Sequence, residues 1–284
     1  MNTRILLNIF LLVLMLTLAG VAIWHNDDSS YLKLKLTSLT RSDINKITIT
    51  RNNGDIILAK TSSGWMMLSP YTTTANDFRV NQLLNLTQTI AENSYDITDL
   101  ELSQFNLEPS DTKIIFNNTL LEFGKSNPVN LLRYIKIDNR LYLAKENVYP
   151  LLRSQPSSFV SLNLLPDVTS IKSIQLPDFH LTNESGKQWV MSPQQDFNQD
   201  QLQNFLQNWK SASAFAVHAY MERKQLGEIR IQTNNSAIKF EITDNDPWLI
   251  LARKDTNLEY HFDKSQVDRL LKITDDTDPQ LSSK

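Results

Sequence analysis

Cysteine is missing from all 284 residues, which excludes disulfides, cysteine-ligated zinc, thiol catalysis and an acylated lipoprotein cysteine. Stability is therefore left to packing. Glycine is scarce as well: six residues, all isolated, make neither a dinucleotide fingerprint nor a phosphate loop, and no G-x-S-x-G elbow offers a serine nucleophile. No Lys/Arg block tracks phosphates, and a formal net charge of −3 with a pI near 5.8 gives no general attraction to nucleic acid. What remains is an ordinary globular composition, 41% hydrophobic and 21% charged, enough chain for one large core or two smaller ones.

One hydrophobic run stands apart. Ile5 to Ile23 reads ILLNIFLLVLMLTLAGVAI, nineteen residues without a charge. As a helix rising about 1.5 Å per residue it reaches roughly 28 Å, close to a bilayer core. Thirteen of these residues are Leu, Ile, Val or Phe. At roughly −0.3 to −0.6 kcal/mol each on an insertion scale they favour insertion by several kcal/mol despite Asn8. Arg4 precedes the run, whereas Asp27 and Asp28 follow it, an asymmetry that places the N-terminus in the cytoplasm and the rest outside, with Trp24 as interfacial anchor. The expectation is a transmembrane anchor over residues 1–25, held in the inner membrane through residues 5–23. Its rival is a signal peptide cut near Gly20-Val21-Ala22, against which the run is longer than the usual core of about 7–15 residues.

A polar linker, residues 26–43, carries one alternating patch, Tyr31 to Leu36, that reads as linker or short pairing strand. An internal echo follows. GWMMLSP at 64–70 returns as KQWVMSP at 187–193. Before each Trp the chain reads as a hairpin: Ile47 to Thr50, the turn Asn52-Asn53-Gly54 and Asp55 to Lys60 in one copy, then Ile171 to Leu176, Pro177-Asp178 and Phe179 to Thr182 in the other. Gly64 and Gly186 introduce third strands that end at prolines, which cannot continue a ladder. Cap-type residues then open a helix in each copy. Val80, Leu83, Leu84 and Ile90 map onto Leu202, Phe205, Leu206 and Ala212 at a constant offset of 122, with helical spacing.

The second halves echo too. Lys113 to Phe116, Asn117-Asn118 and Leu120 to Phe123 form one predicted hairpin, Glu228 to Ile231, Asn234-Asn235 and Ile238 to Phe240 the other. Arg133 to Ile137 with Leu141 to Leu143 match Leu249 to Ala252 with Leu258 to Phe262, and helical turns at Val148 to Leu152 and Val267 to Leu271 close the copies. The predicted fold class is α+β: two tandem repeats in the order β-β-β-α-β-β-β-β-α, each a mostly antiparallel sheet packed on a helix, preceded by one transmembrane helix. The expected boundaries are repeat one at 44–153, a linker at 154–166, repeat two at 167–272 and a disordered acidic tail at 273–284. Trp65 and Trp189, repeated at strand ends that face a helix, read as core.

These residues resemble the bacterial family called domain of unknown function 4340. The likeness rests on the N-terminal anchor, Trp65 to Pro70 before Ala75-Asn76-Asp77, Phe105-Asn106-Leu107-Glu108-Pro109, Leu121 to Gly124 and Arg133 to Ile137 with Leu141 to Leu143. It continues in Leu164-Leu165-Pro166 before Ile174 to Pro177, and spans about residues 44 to 270. One departure is Asn106 where the family carries Gly; Asn also tolerates left-handed backbone, so the turn is expected to survive. The resemblance implies a membrane-anchored protein encoded beside ABC-transporter and gliding-motility-like transport genes. It transfers no catalytic, cofactor or metal residue.

Candidates for chemistry are few. His25, His180, His218 and His261 lack the i, i+4 spacing with Glu of a helical zinc site and read as surface or strand histidines. Asp244-Asn245-Asp246-Pro247 offers clustered oxygens but lacks the later Glu and central Gly of a calcium loop, and reads as a turn. Asp275-Asp276-Thr277-Asp278 reads as solvated tail. No catalytic, cofactor or metal residues are expected, no cofactor and no nucleic-acid partner. The functional expectation is a non-enzymatic periplasmic module on the bacterial inner membrane, an accessory or interaction subunit of an ABC-type transport system whose permease is the partner. The alternative is a periplasmic ligand or glycan binder using Tyr134, Tyr142, Trp248 and Tyr260.

Overall fold

A computed structural model describes residues 3–24, 34–52, 54–165, 170–183, 188–194, 197–234 and 236–273; in the first helix it describes the side chains at 9–18 and 20. Of the residues singled out above, His25, Asp27, Asp28, Tyr31, Asn53, Pro166, Gly186, Lys187, Asn235 and the acidic run 275–278 lie outside this set. The chain divides into two compact units, Met1–Leu34 and Lys35–Lys284.

The first unit holds helix α1 (Thr3–Trp24), whose described side chains from Ile9 to Leu18 are exposed. The expected anchor thus forms a helix. Among the described residues, however, no helix is long and apolar enough to cross a membrane.

The second unit carries two sheets whose described strand registers are antiparallel. The first is built from β1 (Leu34–Lys35), β2 (Lys46–Arg51), β3 (Ile56–Thr61), β4 (Gly64–Ser69), β5 (Thr73–Thr74), β6 (Ile90–Asp96), β7 (Thr112–Phe116), β8 (Thr119–Ser126), β9 (Arg133–Ile137) and β10 (Arg140–Ala144). The second comprises β11 (Ile171–Gln175), β12 (His180–Thr182), β13 (Val190–Ser192), β14 (Ala216–Ala219), β15 (Gly227–Thr233), β16 (Ala237–Asp244), β17 (Trp248–Arg253) and β18 (Leu258–Asp263). Their orders are β1-β6-β10-β9-β8-β7-β2-β3-β4-β5 and β13-β12-β11-β15-β16-β17-β18-β14. Reading the first sheet from β4 to β6 and the second from β13 to β14 gives the same eight positions in the same order. The halves are topological repeats, as the echo predicts, on separate sheets. Among the described residues only the first sheet carries additional strands, β5 at one end and β1 at the other.

Alternation explains the registers. Ile47 and Ile49 are wholly buried and stand opposite Leu58 and Ile56 on one neighbour and Phe116 and Ile114 on the other. The second repeat does the same with Ile174 between Leu181 and Ile231. Each buried Ile, Leu or Phe contributes roughly 1.5–3 kcal/mol.

The helices follow their caps. The Asn76 side chain accepts from the Arg79 backbone N–H at 3.1 Å and opens α2 (Asp77–Leu84); Asn198 and Gln201 form a reciprocal capping box at the start of α4 (Gln199–Ser211). Val80, Leu83 and Leu84 are buried on one helix, Leu202, Phe205, Leu206 and Trp209 on the other. The expected pairing of Ile90 with Ala212 fails. Helix α2 ends at Leu84, a 3-10 turn runs over Asn85–Gln88, and Ile90 opens β6 with 42% of its surface exposed. The expected order therefore lacks a strand after each helix, β6 and β14. Strand β6 reads IAENSYD and buries only Ala91, so it has no apolar period to announce it and is held by its backbone ladder.

Short helices α3 (Tyr149–Leu152) and α5 (Gln266–Leu271) close the repeats where expected. Asn106 adopts φ 57°, ψ 41°, so the turn survives without glycine. Gly124 is needed for a different reason: a Cβ there would lie 2.3 Å from the Phe105 carbonyl oxygen.

The segment 154–165 between the repeats does not run over the surface. It forms a 3-10 turn, Pro156–Phe159, and then a strap hydrogen-bonded to both sides. Asn76 N–H donates to Phe159 O at 2.7 Å and Ser161 N–H to Thr74 O at 2.9 Å; Leu164 N–H donates to Ala212 O at 2.9 Å and Ala214 N–H to Leu162 O at 2.8 Å. Phe159, Val160 and Leu164 are fully buried and fuse the two halves into one core cluster.

Candidate functional site

The strap creates a junction, and beside it lies a cleft of ≈ 460 Å³. One wall is the start of α2, with Asn76, Phe78 and Arg79; the floor is the 3-10 turn with Gln155, Ser157 and Ser158; the other wall is Leu162, Phe215 and the first residues of β14, Ala216 to His218. Asn76 faces the cleft because it caps α2, and Phe78 and Arg79 follow in the first turn, outside the buried stripe. Phe78 is 67% and Phe215 54% exposed. Trp248, 48% exposed, packs edge-on to Phe215 with ring centroids 5.8 Å apart and extends the aromatic surface.

Behind β14 sits a charged cluster. Strand β18 reads LEYHF with Leu258, Tyr260 and Phe262 on the core face, so period-2 alternation sends Glu259 and His261 to the opposite face. That face is covered by the segment after β14, which brings Arg223. Its guanidinium grips the Glu259 carboxylate through Nη1 at 2.6 Å and Nη2 at 3.1 Å, while Met221 N–H donates to Oε2 at 3.1 Å and His261 Nε2 to Oε1 at 2.8 Å. The Glu259 side chain is 1% exposed. Burial alone raises its pKa, but the hydrogen bonds from Arg223, His261 and Met221 outweigh burial and hold the carboxyl below its usual range. Arg223 is correspondingly raised, chiefly by its bond to Glu259. His218 lies edge-on to His261, 4.7 Å between centroids; burial first and then the neighbouring imidazole lower its pKa.

Chemically the cluster is a lock. Both Glu259 oxygens are occupied, and the network ties β18 to the loop leaving β14. His218 links this lock to the cleft wall.

The sequence candidates scatter. His180 is exposed on β12, and of the described histidines only His218 and His261 come together. Among the described residues no group of His, Asp and Glu is arranged to hold a metal ion. Asp244 Oδ1 accepts the N–H groups of Asn245 and Asp246 at 2.8 and 3.1 Å, and Asp246 pairs with Lys264 at 2.8 Å, which makes this a turn. Trp65 is buried in the core, and Trp189 is half-buried against it. The aromatics proposed for a ligand do not converge: Tyr260 is in the core, Tyr142 packs against the core, Tyr134 packs tilted against Phe105 with ring centroids 4.7 Å apart, and Trp248 is at the surface. Arg223 and Glu259 were not singled out from the sequence. The available signal was the alternation of β18, which places a carboxylate and an imidazole two residues apart on one face.

A family model described as "Domain of unknown function (DUF4340)" matches residues 65–233, more than half of the chain. The matched stretch begins at Trp65 in the third strand of one repeat and ends within the second, so it includes every residue lining the cleft. No curated protein and no solved structure matches the chain.

Proposed function

This chain belongs to the DUF4340 family, and from that premise we propose that it is a non-enzymatic interaction module, anchored in the inner membrane through residues 5–23 with its folded part in the periplasm, and an accessory subunit of an ABC-type transport system. The observation that carries the reading is the junction cleft, where Phe78 and Phe215 stand exposed at 67% and 54% on walls that lie inside the family-matched stretch. Exposed aromatics clustered around a groove are features of surfaces that bind partners. The uncharged run from Ile5 to Ile23, flanked by Arg4 and by Asp27 and Asp28, supports the anchor and its orientation. The family's company with ABC-transporter genes supports the permease as partner.

The test is purification of the full chain from detergent-solubilised membranes and measurement of the co-purifying permease encoded beside it. Permease is expected with the native chain and should be lost on Phe78→Ala/Phe215→Ala with the melting temperature unchanged. A monomer that never carries permease refutes the transport reading. For the anchor, Leu12→Arg/Leu14→Arg should shift the chain from the membrane to the soluble fraction.

A second reading has one observation in its favour. A volume of ≈ 460 Å³ with Asn76, Gln155, Ser157 and Arg79 on its walls matches the range of small-molecule pockets. A glycan or other periplasmic ligand would then raise the melting temperature, since ligand at a hundred times its Kd adds about 2.7 kcal/mol. Thermal shift with muropeptides separates the two readings.

A further inference from the structure

The two repeats differ at one exposed loop. Strands β8 and β9 stand where β16 and β17 stand in the second sheet, so the loop at 127–132 and the loop at 245–247 are counterparts. The second is polar and acidic, with Asp246 tied to Lys264. The first reads NPVNLL and exposes Val129 at 90% and Leu131 at 79%. The fold therefore does not demand apolar side chains at this position. The loop is nevertheless preformed around them. Asn127 N–H donates to Leu132 O at 2.7 Å and Leu131 N–H to Asn127 O at 2.9 Å. The Asn127 side chain accepts from Val129 N–H at 2.9 Å, and that of Asn130 from Leu132 N–H at 3.1 Å. Leu131 is held at φ 61°, a left-handed conformation that leucine rarely adopts, and its side chain gains no burial in return. Two apolar side chains displayed on a self-bonded tip make a contact surface.

The loop's place in the sheet says what it touches. The folded unit begins at Lys35, and Leu36 N–H donates to Thr89 O at 3.0 Å, just before β6. From there one row of partners crosses the sheet: Ala91 opposite Ala144, Ala144 opposite Arg133, Arg133 opposite Ser126. The chain thus enters the folded unit at the end of the sheet from which the loop projects. With strands about 4.8 Å apart, the loop stands roughly 10–15 Å from that entry. Residues 25–34 span at most about 36 Å even fully extended, so an anchor over 5–23 keeps this end of the sheet within reach of the bilayer. Charge agrees. Segments 35–36, 89–91, 125–133 and 144–148 meet at this end, and their charged residues are Lys35, Lys125, Arg133, Lys145 and Glu146. Arg133 and the N–H groups of Val148 and Tyr149 occupy the Glu146 carboxylate, whereas the three lysines are exposed. Ile90, 42% exposed, adds apolar surface beside them.

We propose that the loop at 127–132 seats the folded unit on an anionic lipid surface. Val129 and Leu131 enter the boundary between headgroups and acyl chains, and Lys35, Lys125 and Lys145 meet lipid phosphates. The acidic counterpart loop at 245–247 would be repelled by the same surface, so one repeat contacts lipid and the other does not.

This inference rests on residues 5–23 being the anchor, but not on the permease as partner. The chain has no cysteine, so Val129→Cys, Leu131→Cys and Asn139→Cys each create a unique site for a nitrobenzoxadiazole label. Asn139 lies in the β9–β10 turn at the opposite end of the sheet and serves as control. The full chain is reconstituted into vesicles of phosphatidylcholine with phosphatidylglycerol, and quenching by lipids spin-labelled near the headgroup is measured. Quenching at 129 and 131 should exceed that at 139 by at least about threefold. With the label at 129, Leu131→Ser and the pair Lys125→Glu/Lys145→Glu should each reduce it several-fold, as should vesicles of phosphatidylcholine alone. All these side chains are exposed, so melting temperatures should hold. Equal quenching at the three sites overturns the proposal, as does quenching at 129 that neither Leu131→Ser nor the charge reversal reduces. Flotation of the vesicles reads the anchor separately. A chain that floats without lipid contact at 129 keeps the anchor and removes this inference; a chain that does not float removes both.

Discussion

Replacing Arg223 by alanine should cost about 3 kcal/mol of folding stability. The substitution removes two hydrogen bonds, 2.6 and 3.1 Å long, from a carboxylate that is 1% exposed. A hydrogen bond to a charged group is worth about 1.5–3 kcal/mol, and breaking a buried ion pair from one side about 3–5 kcal/mol. The lower part of that range applies because Arg223 is 28% exposed and water can enter its place, while Met221 N–H and His261 stay on the carboxylate. At roughly 2–4 °C per kcal/mol for a folded unit of this size, the melting temperature should fall by about 6–12 °C. Urea unfolding followed by tryptophan fluorescence measures the loss. The double variant Arg223→Met/Glu259→Leu removes the charge together with its partner and should recover to within about 1–2 kcal/mol of the native chain, because an apolar pair of similar size replaces a buried ion pair at little cost. A loss below about 1 kcal/mol for the single variant, or a double variant no more stable than the single, would refute the account of Glu259 as a buried, fully ionised lock.

Three further outcomes follow from the packing. His218 has its pKa lowered in the folded chain by burial and by His261, so the unfolded chain binds more protons below the ordinary histidine range near 6.5. Stability should be full above that range and decline as pH falls through it, and His218→Gln should flatten the decline measured between roughly pH 5 and 7. Gly124→Ala drives a Cβ to 2.3 Å from the backbone oxygen of Phe105, whereas Gly227→Ala meets the ring carbon Cγ of Pro177 at 2.8 Å; thermal melting should show the first as the more damaging, by about 1–3 kcal/mol or more. Trp209 is wholly buried and its indole N–H donates to Leu270 O at 3.0 Å, so Trp209→Ala should cost about 3–5 kcal/mol or more in urea unfolding, with the orphaned carbonyl adding to the lost packing.

Elements with a hydrophobic period were legible in the order of residues alone. Alternation marked the hairpins, helical spacing marked α2 and α4, asparagine caps marked their starts, and the shared offset of Val80, Leu83 and Leu84 from Leu202, Phe205 and Leu206 exposed the duplication. Those signals work because burial of one face demands a repeat of 2 or 3.6 residues. Strands β6 and β14 escaped because backbone ladders hold them while few of their side chains are buried, and a backbone hydrogen bond leaves no mark in the choice of residue. The strap between the repeats looked like a linker for a related reason: Phe159, Val160 and Leu164 have no regular spacing, and their burial depends on two sheets meeting around them. Only the tertiary structure could assemble the cleft, whose walls come from residues near 76, 155 and 215, and the lock, where Arg223 reaches Glu259 across 36 positions. Contacts of that range are set by how the sheets close on one core, a property that short-range pattern does not encode.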